Sequence, residues 1–208
     1  MPQRQEVTDP TPPNWWRSRT TPVPPPGYAE MIDAARELQD RIAAAVPDEH
    51  AAKEAAIGIK RVSDLLARFE RDEWSQISGF SADLPGRGST LLPLVRDVVM
   101  DDKSVRGRVR FGRFHLGGNG AAHGGTIPLV FDDLLGRLSG SGGRTVARTA
   151  YLHVDYRSIT PVDKELDIEA WFVSEEGRKR ILRGTLRDGD TLCAEAEGLF
   201  VQLRPGQH

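Results

Sequence analysis

Cysteine is nearly absent from this chain of 208 residues; Cys193 stands alone. A single cysteine excludes an internal disulfide framework and a cysteine-rich zinc site, and it fits a reducing, cytoplasmic setting. No run of about 18 apolar residues is present, so no membrane span is expected. The first residues include Pro2, Glu6 and Asp9 and no apolar stretch, which is not the pattern of a secretory leader. Charge of one sign is also lacking. The net charge is -2, and the one local gathering is Arg106, Arg108, Arg110 and Arg113. That balance gives no general attraction to nucleic acid or to an anionic membrane. Gly112, Gly117 and Gly118 have neither the spacing nor the Lys-Ser/Thr of a phosphate loop, and a dinucleotide fingerprint would need a strand-helix-strand context missing here.

What is there is a globular mixture, 38% hydrophobic and 28% charged, long enough for one domain and an appendage. Residues 1–27 are rich in proline, with Trp15 and Trp16 among them, and read as a tail that packs its indoles on the body. Residues 28–71 read as a helical extension. Met31, Ala34, Ala35, Leu38, Ile42 and Ala45 mark a first helix, broken at Pro47 and Asp48. Ala55, Ile59, Val62, Leu65, Leu66 and Phe69 mark a second, from about Glu49 to Arg71. Residues 72–89 form a connector with Gly79, Pro85, Gly86 and Gly88. From residue 90 to 204 the pattern becomes strand, strand, one long helix, then four strands. The strands fall at 92–100, 105–115, 147–157, 165–174, 178–187 and 191–203. An antiparallel sheet curled around the single helix is the simplest packing that buries it, an α+β arrangement.

The chemistry gathers at Gly117 to Thr126 and the helix after it. Thr126 is the candidate N-cap and Pro128 suits the first turn. A helix start presents unpaired N–H groups and partial positive charge. Gly124 has no side chain to screen its N–H, which suits a carbonyl oxygen that gains charge on attack; a plain glycine turn is the competing reading. Asp132 lies about two turns into an apolar helix: either it looks into a poorly solvated cleft, where a carboxylate acts as general base or nucleophile, or it and Asp133 simply cap or solvate the helix surface. Asp133 is its neighbour, and consecutive helix positions do not share a face. The residues alone do not choose between the two. His123 precedes the glycines without a Ser or Cys nucleophile beside it. Asn119 either donates to a substrate carbonyl or ties down its own turn. Thr149, at a strand start, is either only a β-former or a hydroxyl that orders water or steadies an aspartate. Arg157, with Arg178, Arg180 and Arg183, either offers cations for a phosphate-bearing substrate or belongs to a solvated sheet face, the stronger reading for any one of them. His115, His123, His153 and Asp132 show no close metal-ligand spacing.

These residues resemble a known family. His123-Gly124-Gly125, followed after six residues by Asp132, is similar to the motif of the hotdog-fold acyl-CoA thioesterase superfamily. The nearest likeness is to its phenylacetate-pathway and human thioesterase-superfamily-member types. Thr149 to Pro161 and Asp188 to Phe200 extend the likeness, which covers about residues 90–204 as a hotdog thioesterase domain. The resemblance implies a long central helix wrapped by an antiparallel sheet, and a homodimer or higher homo-oligomer with composite active sites. It implies hydrolysis of acyl-CoA to free acid and CoA within fatty-acid metabolism, with no cofactor and no metal. By it, Gly124 supplies the oxyanion N–H and His123 precedes that glycine. Asp132 is the catalytic carboxylate, reaching the site from the opposite protomer, and Thr149 assists it. Asn119, Gly125 and Arg157 would meet the substrate. Relatives often carry Asn or Gln six residues before the histidine; here Gly117 stands there and Asn119 is four before. Two other readings exist on the same fold. One is a non-catalytic acyl-CoA-binding or regulatory protein. The other is a hydratase, which the absence of an Asp-x-Asn-x-x-His run disfavours.

Overall fold

The computed structural model describes residues 22–81 and 83–204. The tail with Trp15 and Trp16 lies outside the described residues. Two helices come first, α1 (Tyr28–Ala44) and α2 (Glu49–Ala67). Strands β1 (Val95–Met100) and β2 (Ser104–Arg110) follow, then the short β3 (Leu116–Gly118) and β4 (Ala121–Ala122). Next come helix α3 (Thr126–Ser139) and strands β5 (Ala147–Tyr156), β6 (Glu165–Glu176), β7 (Lys179–Asp188) and β8 (Thr191–Gln202).

Six strands form one antiparallel sheet in the order β1-β2-β6-β7-β8-β5, and β3 and β4 form a separate ribbon. The alternation read in β6 holds: Leu166, Ile168 and Ala170 face inward. Helix α3 lies in the sheet's concave side. Ile127, Val130, Phe131, Leu134, Leu135 and Leu138 are each at most 2% exposed, in one core with Leu182, Leu186 and Phe200. Six such side chains contribute roughly 10 kcal/mol of gross burial, which is the scale of a whole domain's net stability. Gly184 permits the contact, because a Cβ there would meet the Glu169 carbonyl at 2.8 Å and the Phe131 ring at 3.2 Å. The far end of α3 is fastened by Arg180, only 3% exposed. Its Nη1 donates to the carbonyls of Ser139 (2.8 Å) and Thr145 (2.7 Å), and its Nε to Glu175 (2.9 Å).

Three boundaries differ from the sequence reading by three or more residues. The first strand begins at Val95, after Pro93. The second helix ends at Ala67, four residues before Arg71. The strand expected to run to His115 stops at Arg110, and Arg113–His115 is a 3-10 turn. Helix α1 causes the last change: Asp40 Oδ1 accepts the Phe114 N–H at 2.8 Å, which bends the chain out of the sheet. Arg36 of α1 donates to the Leu92 carbonyl at 2.9 Å, so α1 is docked at two points.

The same bend half-buries His115 between Phe111 and Phe114, with ring centroids 6.0 and 5.4 Å away. Among the described residues neither of its ring nitrogens has a partner. Burial holds its pKa below the ordinary imidazole value; Asp40 opposes that and Arg36 adds to it. The fold therefore favours neutral His115. Its contribution is complete above about pH 6.5 and is lost as pH falls toward the depressed folded value. His115→Phe is expected to shrink the drop in melting temperature between pH 7 and pH 5. Parallel pH profiles for the two proteins would show that His115 is not the group responsible.

Candidate active site

The turn before α3 is held by its own backbone. The His123 N–H donates to the His115 carbonyl at 2.7 Å, and the Ala122 N–H to that of Thr160 at 2.8 Å. The His123 carbonyl accepts the Thr126 N–H (2.9 Å) and Oγ1 (2.7 Å). A planar trans peptide whose C=O is fixed on one side has its N–H fixed on the other. That N–H belongs to Gly124, which is exposed and, among the described residues, donates to nothing. The next peptide is fixed as well. Tyr156 Oη donates to the Gly124 carbonyl at 2.7 Å, and the Gly125 N–H donates to His123 Nδ1 at 3.0 Å. His123 is thus a brace for the turn, with the proton of a neutral ring on Nε2. Thr126, expected as the N-cap, is instead the first helical residue. Its hydroxyl is used in holding His123, and Gly125 takes the cap position.

Asn119 has φ 49 and sits at the tip of the β3–β4 ribbon, where left-handed backbone favours Asn and Gly. Gly117 lies so close to His123 that a Cβ would come within 2.8 Å of its Cα. A larger residue at that position would displace the brace.

Asp132 and Thr149 do meet: Thr149 Oγ1 donates to Asp132 Oδ1 at 2.8 Å. The cause is a bulge in β5. Thr149 pairs with Phe200 but Tyr151 with Leu199, so the register slips at Ala150. Ala147 and Thr149 face the helix before the slip, and Leu152 and Val154 are the half-buried positions after it. The pair opens on a cavity of about 370 Å³, lined also by Leu129 and Phe200. Asp133 lines the same cavity, but its carboxylate is taken up by cations. Its side chain is 11% exposed, and Arg87 of the connector bonds it directly. Arg137 lies 3.9 Å away. Burial raises the Asp133 pKa; Arg87 and Arg137 oppose the shift and Asp132 adds to it. The desolvated carboxylate anticipated on this helix is therefore Asp133, and Asp132 is the exposed one beside Thr149.

Gly124 and Asp132 do not converge within one chain. Asp132 stands six residues beyond Thr126, about 9 Å along the axis, and Gly124 lies before the helix begins. Arg157 is engaged by carboxylates: its Nη2 reaches Asp155 at 2.9 Å and its Nε reaches Glu195 at 2.8 Å. His153 Nε2 is 3.2 Å from Asp155. Among the described residues no group of three His, Cys, Asp or Glu is placed to hold a metal, and no helix is long and apolar enough to cross a membrane. Two contributors went unmarked in the sequence. Tyr156 ends the Thr149 strand and Arg87 lies in a glycine-rich connector; neither residue type signals its partner.

No family model matches the chain. It is 35% identical over 97 residues to the acyl-coenzyme A thioesterase THEM4 of Mus musculus, covering 45% of this chain and 41% of that protein. For the Bos taurus protein of the same name the identity is 31% over 107 residues, covering 50% and 44%. The chain thus spans less than half the length of the curated relatives it matches. A solved structure of a thioesterase superfamily protein superimposes with a TM-score of 0.70 at 23% identity, over 87% of this chain and 98% of that one. The chain has the hotdog fold, as the motif resemblance implied.

The Arg87–Asp133 pair makes a claim on stability. Arg87→Met leaves Asp133 enclosed with only the more distant Arg137. A carboxyl whose folded pKa is raised is penalised wherever the unfolded chain is ionised, above about pH 4, and the penalty fades as pH falls below that. The substitution is expected to cost about 1–3 kcal/mol at pH 7 and much less at pH 4, read by chemical denaturation. Equal losses at the two pH values would mean that packing of the arginine stem, not charge, is what was removed.

Proposed function

Starting from the hotdog fold, we propose that this protein hydrolyses acyl-CoA thioesters to free acid and CoA. The observation that carries the reading is the Gly124 N–H, unpartnered and held in direction by bonds on both flanking peptides. A thioester carbonyl oxygen accepting it gains charge as the carbon is attacked. A fixed donor at a helix start stabilises that charge without reorganising. Asp132 takes the proton of the attacking water, and Thr149 holds the carboxylate in place. The tetrahedral adduct collapses with cleavage of C–S, and the proton held by Asp132 passes to the departing thiolate. In the alternative course Asp132 attacks the carbonyl itself and water then cleaves the mixed anhydride.

The offset between the turn and a carboxylate two turns into the helix argues that Gly124 and Asp132 act in different copies of one site. Strand β5 supports this, since it ends the sheet with one edge unpaired among the described residues. Joining two β5 edges about a two-fold makes one continuous sheet and removes both exposed edges. It also brings the start of one α3 near the carboxylate of the other. The acyl-coenzyme A thioesterase name of the relatives agrees with this substrate class.

An acyl-CoA panel with free-thiol detection tests the reading. Asp132→Asn is expected to lower kcat/KM by at least about 100-fold. Thr149→Val is expected to lower it by about 10-fold, the value of one bond to a charged group. Tyr156→Phe, which frees the Gly124 carbonyl, is expected to lower kcat several-fold with little change in KM. Thiol release at the wild-type rate in Asp132→Ala would remove the assignment. Binding without turnover in the wild type would favour an acyl-CoA-binding protein. In labelled water, single-turnover label in Asp132 indicates attack by the carboxylate, and its absence indicates water activation.

A further inference from the structure

Helix α3 carries one glycine within its span, Gly136. Apart from proline, glycine is the poorest residue for a helix interior. The backbone does not ask for it, since Gly136 is not among the glycines with positive φ. Nor does the packing. A Cβ at Gly136 would have the Phe200 ring at 3.7 Å as its nearest neighbour across the core, an ordinary contact. Gly184 and Gly198 are different: a Cβ would come within 2.8 Å of the Glu169 carbonyl at the first and of the Phe200 ring at the second. The fold needs those two glycines. At 136 it would accept alanine and gain helix stability.

What the missing side chain leaves open is space beside the candidate catalytic carboxylate. Leu129, Asp132, Asp133 and Gly136 are spaced i, i+3, i+4 and i+7, one face of a helix. All of them line the cavity of about 370 Å³ on which the Asp132–Thr149 pair opens. The Cα–Cβ bonds of a helix tilt toward its N-terminus, so a side chain at 136 would extend over the turn that carries Asp132. Around Gly136 the same cavity is walled by Ala147 and Phe200 of the sheet and by Leu91 and Leu92 of the connector. The ions on this wall, Asp133 with Arg87 and Arg137, are engaged with one another. The remaining carbon surface suits a hydrocarbon chain.

We propose that Gly136 is a specificity-determining residue. The acyl chain of the substrate leaves the carbonyl at Asp132 and runs along this face of α3, past Gly136 and toward Leu91 and Leu92. The side chain absent at 136 sets how much of that chain fits. The identity of the occupant rests on the thioesterase reading, whereas the seat itself is read from the cavity and the helix.

Binding of S-alkyl-CoA thioethers, from ethyl to decyl, tests the seat without requiring turnover. For the wild type, affinity is expected to rise about fourfold per methylene and to level off once the seat is full. Gly136→Ala is expected to bring that plateau forward by about one methylene. It is also expected to raise the melting temperature by about 2–4 °C. Gly136→Leu is expected to bring the plateau forward by about three methylenes and to lower the decyl-to-ethyl affinity ratio at least 10-fold. A plateau at the same length in all three proteins would overturn the proposal. So would a wild-type affinity that does not grow with chain length. An equal loss at every length would mean that the helix had shifted rather than that the seat had filled, and would overturn it too. If Gly136→Leu does not fold, Gly136→Ala decides alone. Thiol release from the matching acyl-CoA series separates the two readings. A shifted plateau without release upholds the seat and removes the hydrolysis; release with an unshifted plateau upholds the hydrolysis and removes the seat.

Discussion

Everything in this protein depends on enclosing one helix that is not apolar all round. Phe131 and Leu134 are fully buried, yet two adjacent carboxylates stand between them. At 100° per residue the helix has to dispose of both in consecutive directions. It does so with two different partners, the Thr149 hydroxyl for Asp132 and the Arg87 guanidinium for Asp133. The sheet supplies the first through a slip in β5, and the connector before β1 supplies the second. Neither carboxylate is left without a partner, so the helix keeps both its burial and its polar pair.

The same economy shapes the helix start. Asn119, Gly117, His123, Thr126 and Tyr156 all act on the backbone around one glycine. Their joint effect is to fix the backbone on both sides of a single N–H. A glycine turn becomes chemically distinctive through what has been satisfied around it. That selectivity is absent from the glycines themselves.

Much of this was legible in the sequence, and for a definite reason. Period-two alternation in Leu166, Ile168 and Ala170, and helical spacing in Ile127, Leu134 and Leu138, report burial directly. Burial is also what selects the sheet and the helix. The proximity of Thr149 to Asp132 was implied by family likeness but not by spacing, because it arises from a one-residue slip in strand pairing. The choice between Asp132 and Asp133 turned on Arg87, some 46 residues earlier. Strand β2 ended early for a similar reason, since Asp40 on α1 captures the Phe114 N–H. Tyr156 was invisible for the opposite reason: it acts on a backbone carbonyl, which carries no sequence mark. Local pattern reads local burial; it does not read which distant side chain arrives to complete a group.

The anchoring of α3 at both ends turns the helix into a gauge. His123 fixes one end and the buried Arg180 fixes the other, so the helix has no freedom to slide or turn within the sheet. The interval from Gly124 to Asp132 is then a manufactured length. Inserting a single residue into it would advance Asp132 by only about 1.5 Å but swing it through about 100°, away from Thr149 and into the place Asp133 holds beside Arg87, and would turn Phe131 out of the core toward Thr149. Side chains along that interval can change by substitution, but its number of residues cannot change without dismantling the geometry.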